Sequence, residues 1–283
     1  MITSTSNDKI KNLVKCMKNA KERRKQDVFL VEGIRMFGEI PNIRHVETFA
    51  TEAFYEKNKE MFSGLSYELV AEHVMNAISD TRTPQGVVSM VKRKHYSVEE
   101  VCGVKKASGE YTTCSTLKAI NEQTDNVVQP LVIALENIQD PGNLGTILRT
   151  AEGAGVTGIL MSRDTVDIYN PKVVRSTMGS IFRMPFCYVE NLTETIKEFG
   201  QQGYRTYCAH MQGTSFYDFD FSNPTIFCIG NEGKGLTKEL MDAASYQICI
   251  PMHGKVESLN AATAATVLMY EAMRQRESQY RQN

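Results

Sequence analysis

Tryptophan is missing from this 283-residue chain, and net charge is almost missing too, with 32 Lys and Arg against 33 Asp and Glu. No apolar run approaches the roughly 18 residues that a membrane-spanning helix needs. The opening MITSTSNDKIKN also lacks the apolar stretch of a secretory signal. Membrane and secreted classes are therefore excluded, and a cytoplasmic protein is expected. The seven cysteines (Cys16, Cys102, Cys114, Cys187, Cys208, Cys228, Cys249) are odd in number, scattered, never spaced as CxxC and never near a metal-spaced His. That excludes a disulfide framework and a zinc site, and no metal is expected.

What is present is an ordinary globular composition, 42% apolar, in a chain long enough for one large or two modest domains. The neutral total hides an asymmetry, because residues 1–95 hold 16 basic and 12 acidic side chains while the remainder is acidic. The first 30 residues concentrate Lys9, Lys11, Lys15, Lys18, Lys21, Arg23, Arg24 and Lys25. With Ile10, Leu13, Val14 and Met17 at helical spacing, this stretch reads as an amphipathic helix with a basic outer face. A solvated helix face explains such a run equally well, but it is also the footprint of a nucleic-acid binder. Lys11, Lys15, Lys18, Arg23, Arg24 and Lys25 are the RNA-contact candidates.

DVFLVEG, HVETFAT and QGVVSMVKR read as strands, with EGIRMFGEI and AEHVMNAISD as helices, giving a small α/β domain over 1–95. Residues 96–129 are polar without apolar periodicity and read as a linker with room for one short helix. Over 130–283, the runs PLVIALENI, GILMS, RMPFCYVE, GYRTYCAH, TIFCIGNEG and YQICIPM alternate with helical patterns. Such alternation predicts a mostly parallel sheet flanked by helices.

Three clusters carry chemistry. In ENIQDPGNLGTILRTAEGAG (136–155) a strand enters an Asp-Pro-Gly turn and then a helix, with Asn143 and Arg149 on its early turns; the backbone N–H groups of such a turn suit an anion. IFCIGNEGKGL (226–236) surrounds Asn231 and Glu232 with glycines that let a ligand approach the backbone. In ICIPMHGKVESLNAATAATVLMYEAM (248–273) a strand is followed by a loop and a helix starting near Ser258, a plausible N-cap, with Asn260 beside it. Taken singly, each is explained by a turn. Neither glycine loop follows GxGxxG or GxxxxGK followed by Ser or Thr, so a dinucleotide or phosphate-loop enzyme lacks its motif. Loops at the carboxyl ends of parallel strands converge on one crevice, so Asn143, Arg149, Glu232, Ser258 and Asn260 are candidates for a single site.

These clusters resemble, in order and spacing, motifs 1, 2 and 3 of the SpoU/TrmH class of SPOUT RNA 2'-O-methyltransferases. FLVEGIRMFGE and TRTPQGVVSM resemble the small RNA-binding domain often found ahead of that catalytic domain. The resemblance implies a trefoil-knotted α/β catalytic domain, a homodimer, and S-adenosylmethionine as cofactor. It further implies that Ala209, His210, Gly230, Ile250, Met252, Ser258 and Leu259 hold the cofactor, although many relatives carry a hydroxyl residue where Ala209 stands. Arg149 matches the residue proposed to activate the ribose hydroxyl, and Asn143, Glu232, Ser258 and Asn260 fix its surroundings. Ribosomal RNA is the favoured substrate and transfer RNA the alternative. A catalytically silent RNA-binding or assembly factor is the competing class, and cofactor binding with methyl transfer discriminates it.

Overall fold

The structure, a computed structural model, describes residues 1–103 and 129–280. Most of the expected linker, residues 104–128, lies outside the described residues. The chain forms two compact units, Met1–Lys94 with Asp167–Phe182, and His95–Val166 with Arg183–Asn283. Residues 167–182 thus join the N-terminal unit, although by sequence they lie within the expected C-terminal domain.

In the first unit, α1 (Asp8–Lys18) and α2 (Ala20–Gln26) precede β1 (Val28–Glu32), α3 (Ile34–Gly38), β2 (His45–Thr51), α4 (Glu52–Lys57), β3 (Tyr67–Val70), α5 (Glu72–Ile78) and β4 (Val87–Lys92). The sheet order is β1-β4-β2-β3, antiparallel except for the β2–β3 pair. The three strands and two later helices expected from sequence are all present. The half-exposed edge strand β3 and the short α4 are additions.

The basic first segment is two helices rather than one. Asn19 leaves helical geometry (φ −128°, ψ 112°), and its side chain caps α2 by accepting the Lys21 N–H. Ile10, Leu13 and Cys16 of α1 pack under the sheet with Phe49, Val74, Met75 and Val88. Lys11, Lys15, Lys18, Arg24 and Lys25 are exposed, as an outer face requires. Arg23 departs from that expectation: it is only 4% exposed. Its guanidinium donates to Cys16 O (2.8 Å) and Met17 O (3.0 Å) and pairs with Asp167 (2.5 Å). A buried cation persists when hydrogen-bonded and paired in this way, so Arg23 is a structural tie between α1 and residues 167–182 and no part of the basic face.

The second unit opens with α6 (Val98–Cys102), started by a reciprocal Ser97–Glu100 capping box. Then follow β5 (Leu131–Leu135), α7 (Pro141–Gly153) and β6 (Gly158–Ser162). The chain visits the first unit with α8 (Pro171–Ser176). It returns as β7 (Phe186–Val189), α9 (Leu192–Gln201), β8 (Arg205–Ser215), β9 (Thr225–Ile229), α10 (Lys238–Ala243), β10 (Tyr246–Cys249) and α11 (Ala261–Tyr280). All six expected strands form one sheet of order β10-β8-β9-β5-β6-β7, parallel at every pairing. Strands covered by helices on both faces are apolar throughout, as LVIAL of β5 is. Val132, Ala134, Leu160, Ile196, Cys208, Ile226, Cys228 and Leu240 form one side of the core.

Arg276 near the end of α11 donates to the carbonyls of Gln129, Pro130, Phe221 and Asn223, at 2.6 to 3.1 Å. This holds α11 against the entry of β5. Among the described residues no helix is long and apolar enough to cross a membrane.

Candidate active site

The strand order places β10, β8, β9 and β5 side by side, and the parallel sense brings their following loops to one edge. After β5, Asp140 caps α7 by accepting the Asn143 N–H (2.8 Å), with Pro141 in the first turn where a missing N–H costs nothing. Asn143 therefore points off the first turn of a rigid helix.

After β9, residues 231–235 close a tight turn. Asn231 and Gly235 exchange backbone hydrogen bonds, Gly235 adopts φ +71°, and Asn231 Oδ1 accepts the N–H groups of Gly233 and Lys234. Gly230 begins the turn under such crowding that a Cβ there would lie 2.3 Å from the Gly235 carbonyl carbon.

After β10, the loop runs to Asn260, whose Oδ1 accepts the N–H groups of Ala262 (2.9 Å) and Thr263 (3.3 Å). Asn260, and not Ser258, is thus the N-cap of α11, which starts later than the sequence suggests.

One hydrogen-bonded chain joins the three loops. Asn260 Nδ2 donates to Asn143 Oδ1 (2.9 Å), and Asn143 Nδ2 donates to Glu232 Oε1 (2.9 Å). Glu232 also accepts the backbone N–H groups of Asp140 (3.2 Å) and Gln139 (3.3 Å). Partial burial pushes the Glu232 carboxyl up, but the Asn143 and backbone donors outweigh it and hold the group below the usual carboxylate range. The carboxylate fixes both ends of Asn143: its amide nitrogen must face Glu232, so its oxygen faces Asn260.

Next to this chain lies a cavity of about 630 Å³, a volume suited to a small cofactor. Ala209, His210, Gly230, Ile250, Met252, Ser258 and Leu259 all line it, together with Glu232. Arg149 does not. It lies on the exposed face of α7, and its side chain has no ion pair or hydrogen bond with any described residue. The structure therefore brings Asn143, Glu232 and Asn260 into direct contact and gathers the seven cofactor candidates around one cavity, while Arg149 stays apart from both.

The cavity fits S-adenosylmethionine in chemistry as well as size. Ile229, Leu236, Ile250 and Leu259 offer an apolar seat, glycine backbone permits close approach, and Glu232, Glu257 and Ser258 supply polar groups.

Two further features shape the site. Asn137 adopts φ +57°, a left-handed conformation that Asn tolerates better than most residues. It is held there by Ser162 Oγ accepting its N–H, by Asn231 Nδ2 donating to its carbonyl, and by Gln139 Nε2 donating to its Oδ1. Asn231 thereby ties the β9 loop to the β5 loop. In β8, pairing with β10 jumps from Cys208 to Thr214 against a single step from Gln247 to Ile248. The excursion carries Ala209, His210 and Met211 into the cavity wall. At its end a Cβ on Gly213 would lie 2.6 Å from the Gln247 and Ile248 backbone. An Asn ahead of a turn signals the first feature; the excursion has no local signal.

Both parts of the chain are similar to known RNA methyltransferases. Residues 130–270 match the SpoU rRNA Methylase family, and residues 7–89 match the MRM3-like substrate binding domain. The chain is 32% identical to an uncharacterized tRNA/rRNA methyltransferase of Synechocystis, over 97% of this chain and 93% of that one. It is 28% identical to the 23S rRNA (guanosine(2553)-2'-O)-methyltransferase RlmP of Bacillus subtilis, over 95% and 97%. Among solved structures, the SpoU methyltransferase AviRb from Streptomyces viridochromogenes in complex with AdoMet aligns with a TM-score of 0.80 at 25% identity, covering 96% of this chain and 99% of that one. The AdoMet-bound rRNA methyltransferase from Sinorhizobium meliloti aligns at 0.78 and 26%, covering 96% and 97%.

Proposed function

Because this chain belongs to the SpoU rRNA methylase family, we propose that it transfers a methyl group from S-adenosylmethionine to a ribose 2'-hydroxyl of ribosomal RNA. The observation that carries this is the Asn260–Asn143–Glu232 chain beside the cavity lined by all seven cofactor candidates. Ribosomal rather than transfer RNA is favoured because a relative named for 23S rRNA matches over nearly the whole length of both chains.

When bound, S-adenosylmethionine supplies an electrophilic methyl carbon on a positively charged sulfur. The backbone around Gly230, Ile250 and Leu259 would hold it, with Ala209, His210, Met252 and Ser258 completing the wall. The protein must align the hydroxyl with that carbon, keep water out and stabilise oxygen charge as the proton leaves. Asn143, Glu232 and Asn260 set the geometry of the loops, and Ser258 is a further polar contact.

A guanidinium offers hydrogen-bond donors and no acceptor for a proton, so Arg149 acts by orienting a phosphate or stabilising the developing alkoxide rather than as a base. Its exposed, unpartnered position off the local cavity supports action at a neighbouring subunit's cofactor, in a homodimer. Gly142, Thr146 and Gly153, exposed on the same helical face, leave room for a second backbone. The exposed Lys11, Lys15, Lys18, Arg24 and Lys25 would contact RNA. The trefoil knot and a cytoplasmic location belong to the same proposal, supported by family membership.

Mapping 2'-O-methyl positions in total RNA with and without the gene tests the function. One ribosomal site should vanish. An unchanged ribosomal map with a lost transfer-RNA site would move the substrate, and no change at all would favour a silent binding factor.

A further inference from the structure

We propose that the first unit grips RNA phosphates through a composite cationic face made of Arg35, Arg82 and Lys172, with Lys172 placed by the neighbouring Arg175–Asp80 ion pair, separate from the lysines of α1. This rests on the reading of the chain as an RNA methyltransferase, and it adds residues that the basic first segment does not include.

The face is assembled by a hydrogen-bonded scaffold. Glu32, at the end of β1, accepts hydrogen bonds from the Ser79 and Thr81 hydroxyls and from the Asp80 N–H. This pins the loop that carries Arg82. Gln85, at the far end of that loop, accepts the Ile34 N–H through Oε1 (3.0 Å), which docks the start of α3 and its Arg35 against it. Gly33 and Gly86 adopt φ +94° and +82° to make the fit. A side chain on Gly33 would lie 2.8 Å from Gln85 Oε1.

Residues 167–182 supply the third part. Arg175 of α8 pairs with Asp80 (3.2 Å), and Lys172 sits one turn earlier on the same helical side. Thus three chain segments far apart in sequence bring cations to one locked loop. The carboxylates within it, Glu32 and Asp80, are already engaged. Arg35, Arg82 and Lys172 are exposed and have no ion pair or hydrogen-bond partner from their side chains among the described residues. Cations left unpaired on a rigid frame are suited to phosphates, because ordering them costs little on binding.

The lysines of α4 and the turn after it make the contrast. Lys57 and Lys59 sit among Glu52, Glu56 and Glu60, and Lys59 pairs with Glu56 (2.7 Å). They carry the same charge as Arg82 and Lys172 in an acidic setting.

The test compares two double variants of the full-length protein, Arg82→Ala with Lys172→Ala and Lys57→Ala with Lys59→Ala. The probe is unmodified 23S ribosomal RNA transcribed in vitro, with affinity measured across a salt series. The first pair should weaken binding about tenfold or more and flatten the salt slope by about 1.5, the value for two lost phosphate contacts. Its melting temperature and S-adenosylmethionine affinity should stay unchanged. The second pair should change affinity less than about twofold on the same scale, and Arg82→Lys with Lys172→Arg should retain most of it. Wild-type affinity in the first pair, or equal losses in both, overturns the proposal. If wild type methylates and binds the RNA while the first pair binds equally well, only this face is lost. If wild type neither binds nor methylates it, the functional reading fails as well.

Discussion

Asn260 Nδ2 donates to Asn143 Oδ1 at 2.9 Å, joining two helix starts that are 117 residues apart in sequence. Each residue also serves its own helix: Asn260 caps α11 with its side-chain oxygen, and Asn143 gives its backbone N–H to the Asp140 cap of α7. The same two residues thus sit at two helix starts and fix the loops around the cavity.

Asn260→Asp separates those two duties. An aspartate still caps α11, but it puts an acceptor against Asn143 Oδ1, and turning the Asn143 amide to meet it would break the bond to Glu232. The variant should melt within a few degrees of wild type while methyl transfer falls at least about tenfold, or about 1.4 kcal/mol of transition-state stabilisation. Calorimetric melts alongside a labelled-methyl assay check both halves.

Glu232 contributes as a carboxylate. Its donors hold its pKa below the ordinary value, so its stabilising contribution is fully present above the unfolded carboxylate range, near about pH 4, and is lost as pH falls through the depressed value. Glu232→Gln should therefore melt below wild type at neutral pH, and the gap should close in acid. Paired melting curves over the acidic range measure it. A gap that widens as pH falls would mean that the carboxylate does not clamp the loops.

Gly230→Ala should cut S-adenosylmethionine affinity by about tenfold or more and cost about 1–3 kcal/mol of stability, the usual penalty for overpacking. Its Cβ would meet backbone atoms of Gly235 and Leu236 that cannot rotate away. Gly200, where a Cβ meets nothing within 4 Å, is the control; Gly200→Ala should leave cofactor titrations unchanged.

Arg149→Ala and Asn260→Ala should each be inactive alone. If Arg149 serves the neighbouring subunit and Asn260 the local cavity, mixed dimers hold one site with both defects and one with neither. Co-expression with distinct tags should restore about one quarter of wild-type activity for random pairing. Mixed dimers as inactive as their parents would place Arg149 in the same site as Asn260.

Much of this architecture was legible because parallel strands buried on both faces are continuous apolar runs, and β5, β6 and β9 read that way. The three glycine loops were legible as turns at strand ends, and their convergence follows from the parallel sense. Edge strand β3 escaped because Tyr67–Val70 is half-exposed and short. Arg23 looked like its neighbours, since nothing local reveals that Asp167 waits 144 residues later. The assignment of residues 167–182 to the first unit and the excursion at Ala209–Gly213 are likewise tertiary. The contacts among Asn143, Glu232 and Asn260 depend on which strands are adjacent, which spacing alone does not specify.

The most direct test of the central claim is a nucleoside digest of unmodified 23S ribosomal RNA after incubation with the purified protein and methyl-labelled S-adenosylmethionine. The label should appear in a single 2'-O-methyl nucleoside, and Arg149→Ala should abolish it. Label in a methylated base, or none at all from protein that binds the cofactor, would contradict the account.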